Sequence, residues 1–375
     1  MIFKDFKLIF TDRIENGSVQ VKNGKIVSFN PVDEDNEEVI EGNGRYLSPG
    51  FIDIHIHGAG NRDTMEGTFE ALNTISKTIA EHGTTTFLPT TMTVDVRDIR
   101  SAIETAKASI GKVEGANIGG VHLEGPFISS QAIGAQNPNF VAKPTLETFK
   151  EMVGDYIGLI KNITIAPEVD GAKELIPYLR ENGINVSIGH TKATYKEAME
   201  GIRAGCNHST HLFNAMTPFS HREAGVVGAI FDTDISTETI SDGIHVSYPS
   251  LRIAYKQKGS DKVLLVTDAM MACGMPDGNY TLGGQPVISK DGAARLESGA
   301  LAGSILTLDK AVKNVYEHTD MPLHEVVKMA SHNGAKFIGL ESSKGKIALG
   351  HDADLLIFDE DITIEHVYIE GKKFK

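Results

Sequence analysis

Six ionisable side chains stand at the ends of short apolar runs: His55 and His57 in FIDIHIH, Glu124 closing NIGGVHLE, His190 closing INVSIGH, His211 closing NHSTH and Asp268 closing KVLLVTD. Residues i and i+2 of a strand share a face, so His55 and His57 can grip one ion together. Imidazole with carboxylate suits zinc, iron or manganese. Glu124 can serve one ion or bridge two. His190 and His211 complete a nitrogen-rich set with a position left open for water. Asp268 follows the apolar VLLVT, so a largely dry setting is expected. A carboxylate there can take a proton from water and return it to a leaving group. Singly, each residue has a plainer reading, since a lone histidine in an apolar strand is usually a hydrogen-bonded core residue and Asp268 could cap a helix. Buried ionisable groups are costly unless paired or metal-bound, and one shared cluster accounts for all six.

The elements that carry them alternate. Eight apolar runs read as strands: 51–57, 84–90, 117–124, 162–168, 184–190, 207–211, 237–242 and 262–268. Amphipathic stretches over 69–82, 144–160, 170–182, 194–204 and 309–318 read as helices between or after them. Strands alternating with helices imply a parallel sheet. Eight units suit a closed (β/α)8 TIM-like barrel, with catalytic groups at the C-terminal strand ends; a doubly wound open sheet is the structural alternative. Both chain ends read as strands and hairpins, around Asn23-Gly24 and Gly371. The expected division is a small β-sandwich domain from 1–50 plus 345–375, around a barrel domain over 51–344. The acidic run 33–38 reads as a solvated loop.

Composition limits the partners. Fifty acids against 36 bases give a net charge of −14. No basic excess exists to release counterions, which disfavours nucleic acid and anionic membrane. No apolar run is long enough to span a bilayer, and the N-terminus lacks a signal-peptide pattern. Two cysteines, Cys206 and Cys273, make no disulfide framework, and a cytoplasmic location is expected.

PGFIDIHIHG (49–58) and GKIALGHDADLLIFD (345–359) resemble the opening and closing strings of the amidohydrolase superfamily. Within it, HLEGPF (122–127), GAQNPNF (134–140), IGHTKATY (188–195), STHLFNAM (209–216), HREAG (221–225), DGIHV (242–246), VTDAM (266–270) and LAGS (301–304) resemble the N-acetylglucosamine-6-phosphate deacetylases, in that family's order. The resemblance implies metal-dependent removal of acetate from the 2-acetamido group of a small phosphorylated amino sugar. It implies that Glu124, His190 and His211 hold the main metal and that Asp268 is the general acid and base. Asn214 and Ala215 match sugar-phosphate contacts, and Arg222 and His245 match phosphate-binding positions. Leu301, Ala302 and Gly303 match a loop over the substrate, and Ala135 and Gln136 lie in a further substrate-binding string. A homodimer is implied, with Arg222 able to reach the neighbouring site.

Two departures bear on the metal. Some relatives replace the first two histidines by Gln-x-Asn and bind one ion; His55 and His57 are kept here, so one or two divalent transition-metal ions per chain, zinc or iron foremost, are expected. Other relatives carry His before NPNF where this chain has Gln136, which donates hydrogen bonds but cannot be cationic. No lysine stands at the end of the fourth strand, so Glu124 is the expected bridge.

Overall fold

The computed structural model describes residues 1–31 and 37–375; the expected acidic loop falls largely outside them. Eight strands form the barrel: β1 (Phe51–Ile56), β2 (Thr84–Thr91), β3 (Asn117–Ile118 with Val121–Glu124), β4 (Ile160–Ile165), β5 (Asn185–Ile188), β6 (His208–Ser209), β7 (Ser236–Ile240) and β8 (Val263–Val266). Each pairs in parallel with the next. The ring closes between β1 and the residues after β8, where Ile56 bridges Ala269 and the His57 amide donates to the Ala269 carbonyl at 2.8 Å. Closure decides between the two expected architectures in favour of the barrel.

Strand alternation divides the barrel residues. On β3, Leu123 packs in the apolar shell with helix residues such as Leu72, Ile103 and Phe149. His122 faces the lumen, where its Nε2 meets Thr164 Oγ1 at 2.9 Å and Thr164 meets Thr210 at 2.8 Å. The lumen is therefore hydrogen-bonded rather than greasy. The helices end where local chemistry stops them. The expected helix over 144–160 runs only from Leu146 to Val153, because Gly154 turns at φ 52° and a 3-10 segment leads into β4.

Both termini build a separate eight-stranded sheet, in which Leu355–Phe358 lies antiparallel to Tyr46–Pro49. Its Asn23-Gly24 turn has φ of 51° and 76°, as a two-residue hairpin requires. Phe3 meets Tyr368 edge-on at 4.9 Å although other strands separate theirs within the sheet, so the sheet folds over a core of its own. Gly50 joins this sheet to β1. A Cβ there would lie 2.2 Å from Thr85 Oγ1, so only glycine lets the chain cross so close to β2.

Candidate metal centre and active site

His190, His211 and Asp268 each lie two residues beyond the last residue of β5, β6 and β8, with φ of 45°, 25° and 49°. Sequence reading ran these strands on to the functional residue. Instead the backbone leaves the ladder and enters the left-handed region, which costs roughly 1–2 kcal/mol per non-glycine residue and is tolerated where surrounding structure enforces it. The turn brings three side chains over the lumen toward Glu124 on β3.

All six expected residues converge. Glu124 Oε1 lies 3.2 Å from His190 Nε2 and 3.0 Å from His211 Nε2, and the two nitrogens are 3.2 Å apart. Its other oxygen lies 3.2 Å from His57 Nε2. Asp268 Oδ1 stands 3.2 Å from His57 Nε2 and 3.4 Å from His55 Nε2. Of three triads among the described residues close enough to hold a metal ion, two reach the cavity, Glu124 with His190 and His211, and His55 with His57 and Asp268; the third, His55 with His122 and Glu238, is fully buried. Nitrogen and oxygen ligands at about 2.0–2.1 Å from a tetrahedral zinc are about 3.3 Å from one another, close to these separations.

The donors are also oriented. His190 Nδ1 donates to the Ala132 carbonyl at 2.9 Å, His57 Nδ1 to the Thr90 carbonyl at 3.2 Å and His55 Nδ1 to Glu238 at 2.8 Å. Each bond fixes the proton on Nδ1 and turns the Nε2 lone pair into the cluster. His55 Nε2 is buried with no hydrogen-bond partner, an atom that a cation between the two carboxylates would satisfy. The residues thus fit a divalent metal.

Electrostatics agree. Burial alone would raise the Glu124 carboxyl, but the facing His55 and His190 hold it well below its usual range. Asp268 is likewise lowered, burial being outweighed by His55 and His57. Burial works against a charge on His57, yet its bonds with Asp268 and Glu124 push it up to about 9. The cluster draws in positive charge, whether protons or a metal ion.

A cavity of about 420 Å³ opens onto the cluster. His57, Glu124, His190, His211 and Asp268 line it, as do Ala135, Gln136, Asn214, Ala215, His245, Leu301 and Gly303. His55 lies beneath, fully buried. His245 donates Nδ1–H to Asp242 at 2.6 Å, leaving Nε2 as the free ring nitrogen. Three of the expected substrate residues are placed differently from the rest. Gln136 lines the cavity and also braces the carboxylate: its Oε1 accepts the Thr93 amide at 2.7 Å and its Nε2 donates to Glu124 at 2.5 Å. Ala302 is buried and its amide is committed to the Ala294 carbonyl at 3.0 Å. Arg222 is exposed and does not line the cavity of its own chain.

Other residues of the site escaped sequence reading. Glu238 and Asp53 are buried beside it, and Lys192 is the one lysine or arginine among the described residues that lines the cavity. Leu282 also lines it, at the first hairpin of a three-stranded sheet, Gly278–Leu282, Gln285–Lys290 and Ala293–Leu296, inserted after β8. Cys206 and Cys273 are buried free thiols, pushed by burial up to about 12, and take no part.

The amidohydrolase family profile matches residues 46–374. The N-acetylglucosamine-6-phosphate deacetylase of Lysinibacillus sphaericus is 40% identical over 364 residues, covering 96% of this chain and 94% of the relative. The chain belongs to the amidohydrolase family. Among amidohydrolases of known structure, the N-acetylglucosamine-6-phosphate deacetylase from Pasteurella multocida matches with a TM-score of 0.95 at 32% identity, covering 99% of this chain and 98% of the other. A mutant N-acetyl-D-glucosamine-6-phosphate deacetylase from Mycobacterium smegmatis, in complex with N-acetyl-D-glucosamine-6-phosphate, matches with a TM-score of 0.92 at 29% identity, covering 100% and 99%. Among the described residues, no helix is long and apolar enough to cross a membrane.

Proposed function

We propose that the protein hydrolyses the acetamide of N-acetyl-D-glucosamine 6-phosphate to D-glucosamine 6-phosphate and acetate, in amino-sugar catabolism. The observation that carries this is the convergence of Glu124, His190 and His211 beside Asp268 at one cavity, in a chain similar along its length to deacetylases of that sugar phosphate.

Glu124, His190 and His211 would hold one divalent ion, zinc or iron by their donor chemistry. His55 and His57, with Asp268 and the second oxygen of Glu124 beside them, would hold another. Such an ion supplies a Lewis acid that lowers the pKa of water toward about 7 and stabilises charge on the amide oxygen. Asp268 takes the proton of the attacking water. As the C–O bond forms and the C–N bond breaks, it passes a proton to the departing amine. Asn214, Ala215 and His245 orient the sugar phosphate, and Leu301 and Gly303 cover it; this is positioning rather than chemistry. Ala135 lines the same wall. Arg222, exposed on its own chain, would act across a homodimer interface, where its forked donors suit phosphate.

On this reading 51–344 is the hydrolase unit, 1–50 with 345–375 supports it, and the enzyme works in the cytoplasm without nucleic acid or membrane partners. The test is acetate release from N-acetylglucosamine 6-phosphate, N-acetylgalactosamine 6-phosphate and unphosphorylated N-acetylglucosamine. The first should be hydrolysed best. Equal rates with and without phosphate would overturn the substrate assignment, and no acetate from any would overturn the enzymatic one.

A further inference from the structure

Glu238 lies in the middle of β7, fully buried in the barrel lumen beneath the metal-ligand cluster. A carboxylate in that position is costly unless its oxygens are well used. One oxygen, Oε2, accepts from His55 Nδ1 at 2.8 Å and from the backbone amide of His211 at 3.1 Å. The other, Oε1, faces His208 Nε2 at 3.4 Å. A single oxygen therefore touches one residue from each triad: the His55 ring, and the backbone that carries the His211 ring.

The His55 contact matters most. His57 and His190 send their Nδ1 protons to backbone carbonyls, which the barrel fixes in place. Among the described residues, His55 has only Glu238 for this purpose. Without that acceptor, nothing else bonded to the ring would hold the proton on Nδ1 or aim Nε2 between Glu124 and Asp268. We propose that Glu238 is a positioning residue that orients His55 as a ligand, so that the second ion position exists because of Glu238. This rests on the two-triad reading above.

The effect on His211 is secondary. Its ring is also held by Glu124 at 3.0 Å, and the His211 backbone turn is further supported where its carbonyl accepts from the Asn214 amide at 3.0 Å. The first ion position should therefore survive changes at Glu238 that abolish the second.

Two variants of similar volume separate hydrogen bonding from packing. Glu238→Gln keeps a carbonyl oxygen that can accept from both donors; Glu238→Met keeps the shape and no such acceptor. Each metal-stripped protein is loaded with excess zinc, freed of unbound ion and measured by elemental analysis. The parent and Glu238→Gln are expected to retain two ions per chain, and Glu238→Met one. Cobalt loading should show the matching loss of one visible-band component in Glu238→Met alone. Two ions in the parent and an equal count in both variants would overturn the role of Glu238 while leaving the two-ion site intact. One ion in the parent would overturn the two-ion reading and this role with it. The parent alone gives a further check if Glu238→Met does not fold. Nitrogen-15 spectra of the zinc-loaded protein should place the His55 proton on Nδ1, and a proton on Nε2 would overturn the proposal.

Discussion

Asp53 on β1 accepts the hydroxyl of Thr267 at 2.6 Å, one residue before Asp268. Its other oxygen accepts the His55 amide at 3.2 Å. The strand that bears two candidate ligands and the turn that bears the candidate acid/base are thus tied at the seam where the barrel closes. Burial pushes the Asp53 carboxyl up to about 7, against its hydrogen bonds.

Thr267→Val removes the hydroxyl and leaves a buried carboxylate oxygen short of a donor. The expected cost is about 1–3 kcal/mol, the range for a buried acceptor left unsatisfied. Denaturant titration of the metal-free protein measures it. Turnover should fall as well, because the Asp268 turn loses its tie to β1. An unchanged midpoint with unchanged turnover would show that the seam is held by its backbone bonds alone.

Asp268→Asn preserves size and removes the base. Turnover should fall by about 10²–10⁴, the usual contribution of a positioned acid/base. Substrate affinity should change little, and the ion at Glu124, His190 and His211 should stay. Isothermal titration with substrate, beside elemental analysis and initial rates, separates these outcomes. A variant with near-parental kcat would refute the acid/base role.

Metal uptake should release protons. Glu124 and Asp268 lift His57 to about 9 despite its burial, so below that pH the metal-free protein carries a proton that a ligand imidazole must lose. At pH 7, adding zinc to metal-free protein in weak buffer should acidify the solution by at least one proton for the ion bound at His57. Affinity should rise with pH up to about 9. A pH-independent affinity between 6 and 9 would contradict His57 as a ligand.

Lys192 and Arg222 are predicted to serve the phosphate, one within the cavity and one from a second copy. Lys192→Ala should raise KM for the phosphorylated sugar by about fivefold at low salt, as for the loss of roughly 1 kcal/mol, and by less at high salt. Arg222→Ala should raise it too, with little effect on unphosphorylated N-acetylglucosamine. Equal effects of either variant on both sugars would argue against a phosphate contact.

Much of this site was legible because the chemistry sits at the ends of apolar runs. SIGH, STH and LLVTD each break an apolar or small-residue pattern with one ionisable group and HLE with two, and a barrel brings such ends together. Glu238 and Asp53 were not legible for the converse reason. They stand mid-strand, in TETI and FIDI, where alternation reads as an ordinary half-exposed strand until closure of the barrel turns that face inward. The left-handed turns at His190, His211 and Asp268 have no sequence signature, since glycine fills none of the three positions. The inserted sheet did leave a signal. Gly283-Gly284 and Asp291-Gly292 are two-residue hairpin turns with positive φ throughout, in a stretch between 268 and 309 to which no strand was assigned.

The most direct measurement is acetate release from N-acetylglucosamine 6-phosphate by one preparation in three states: as purified, stripped of metal, and reloaded with zinc or iron at a stoichiometry fixed by elemental analysis. Activity should vanish with the metal and return in proportion to the ion bound, and His190→Ala should recover neither. Full acetate release from the stripped protein, or a reloaded protein that binds metal yet releases none, would contradict metal-dependent deacetylation at this site.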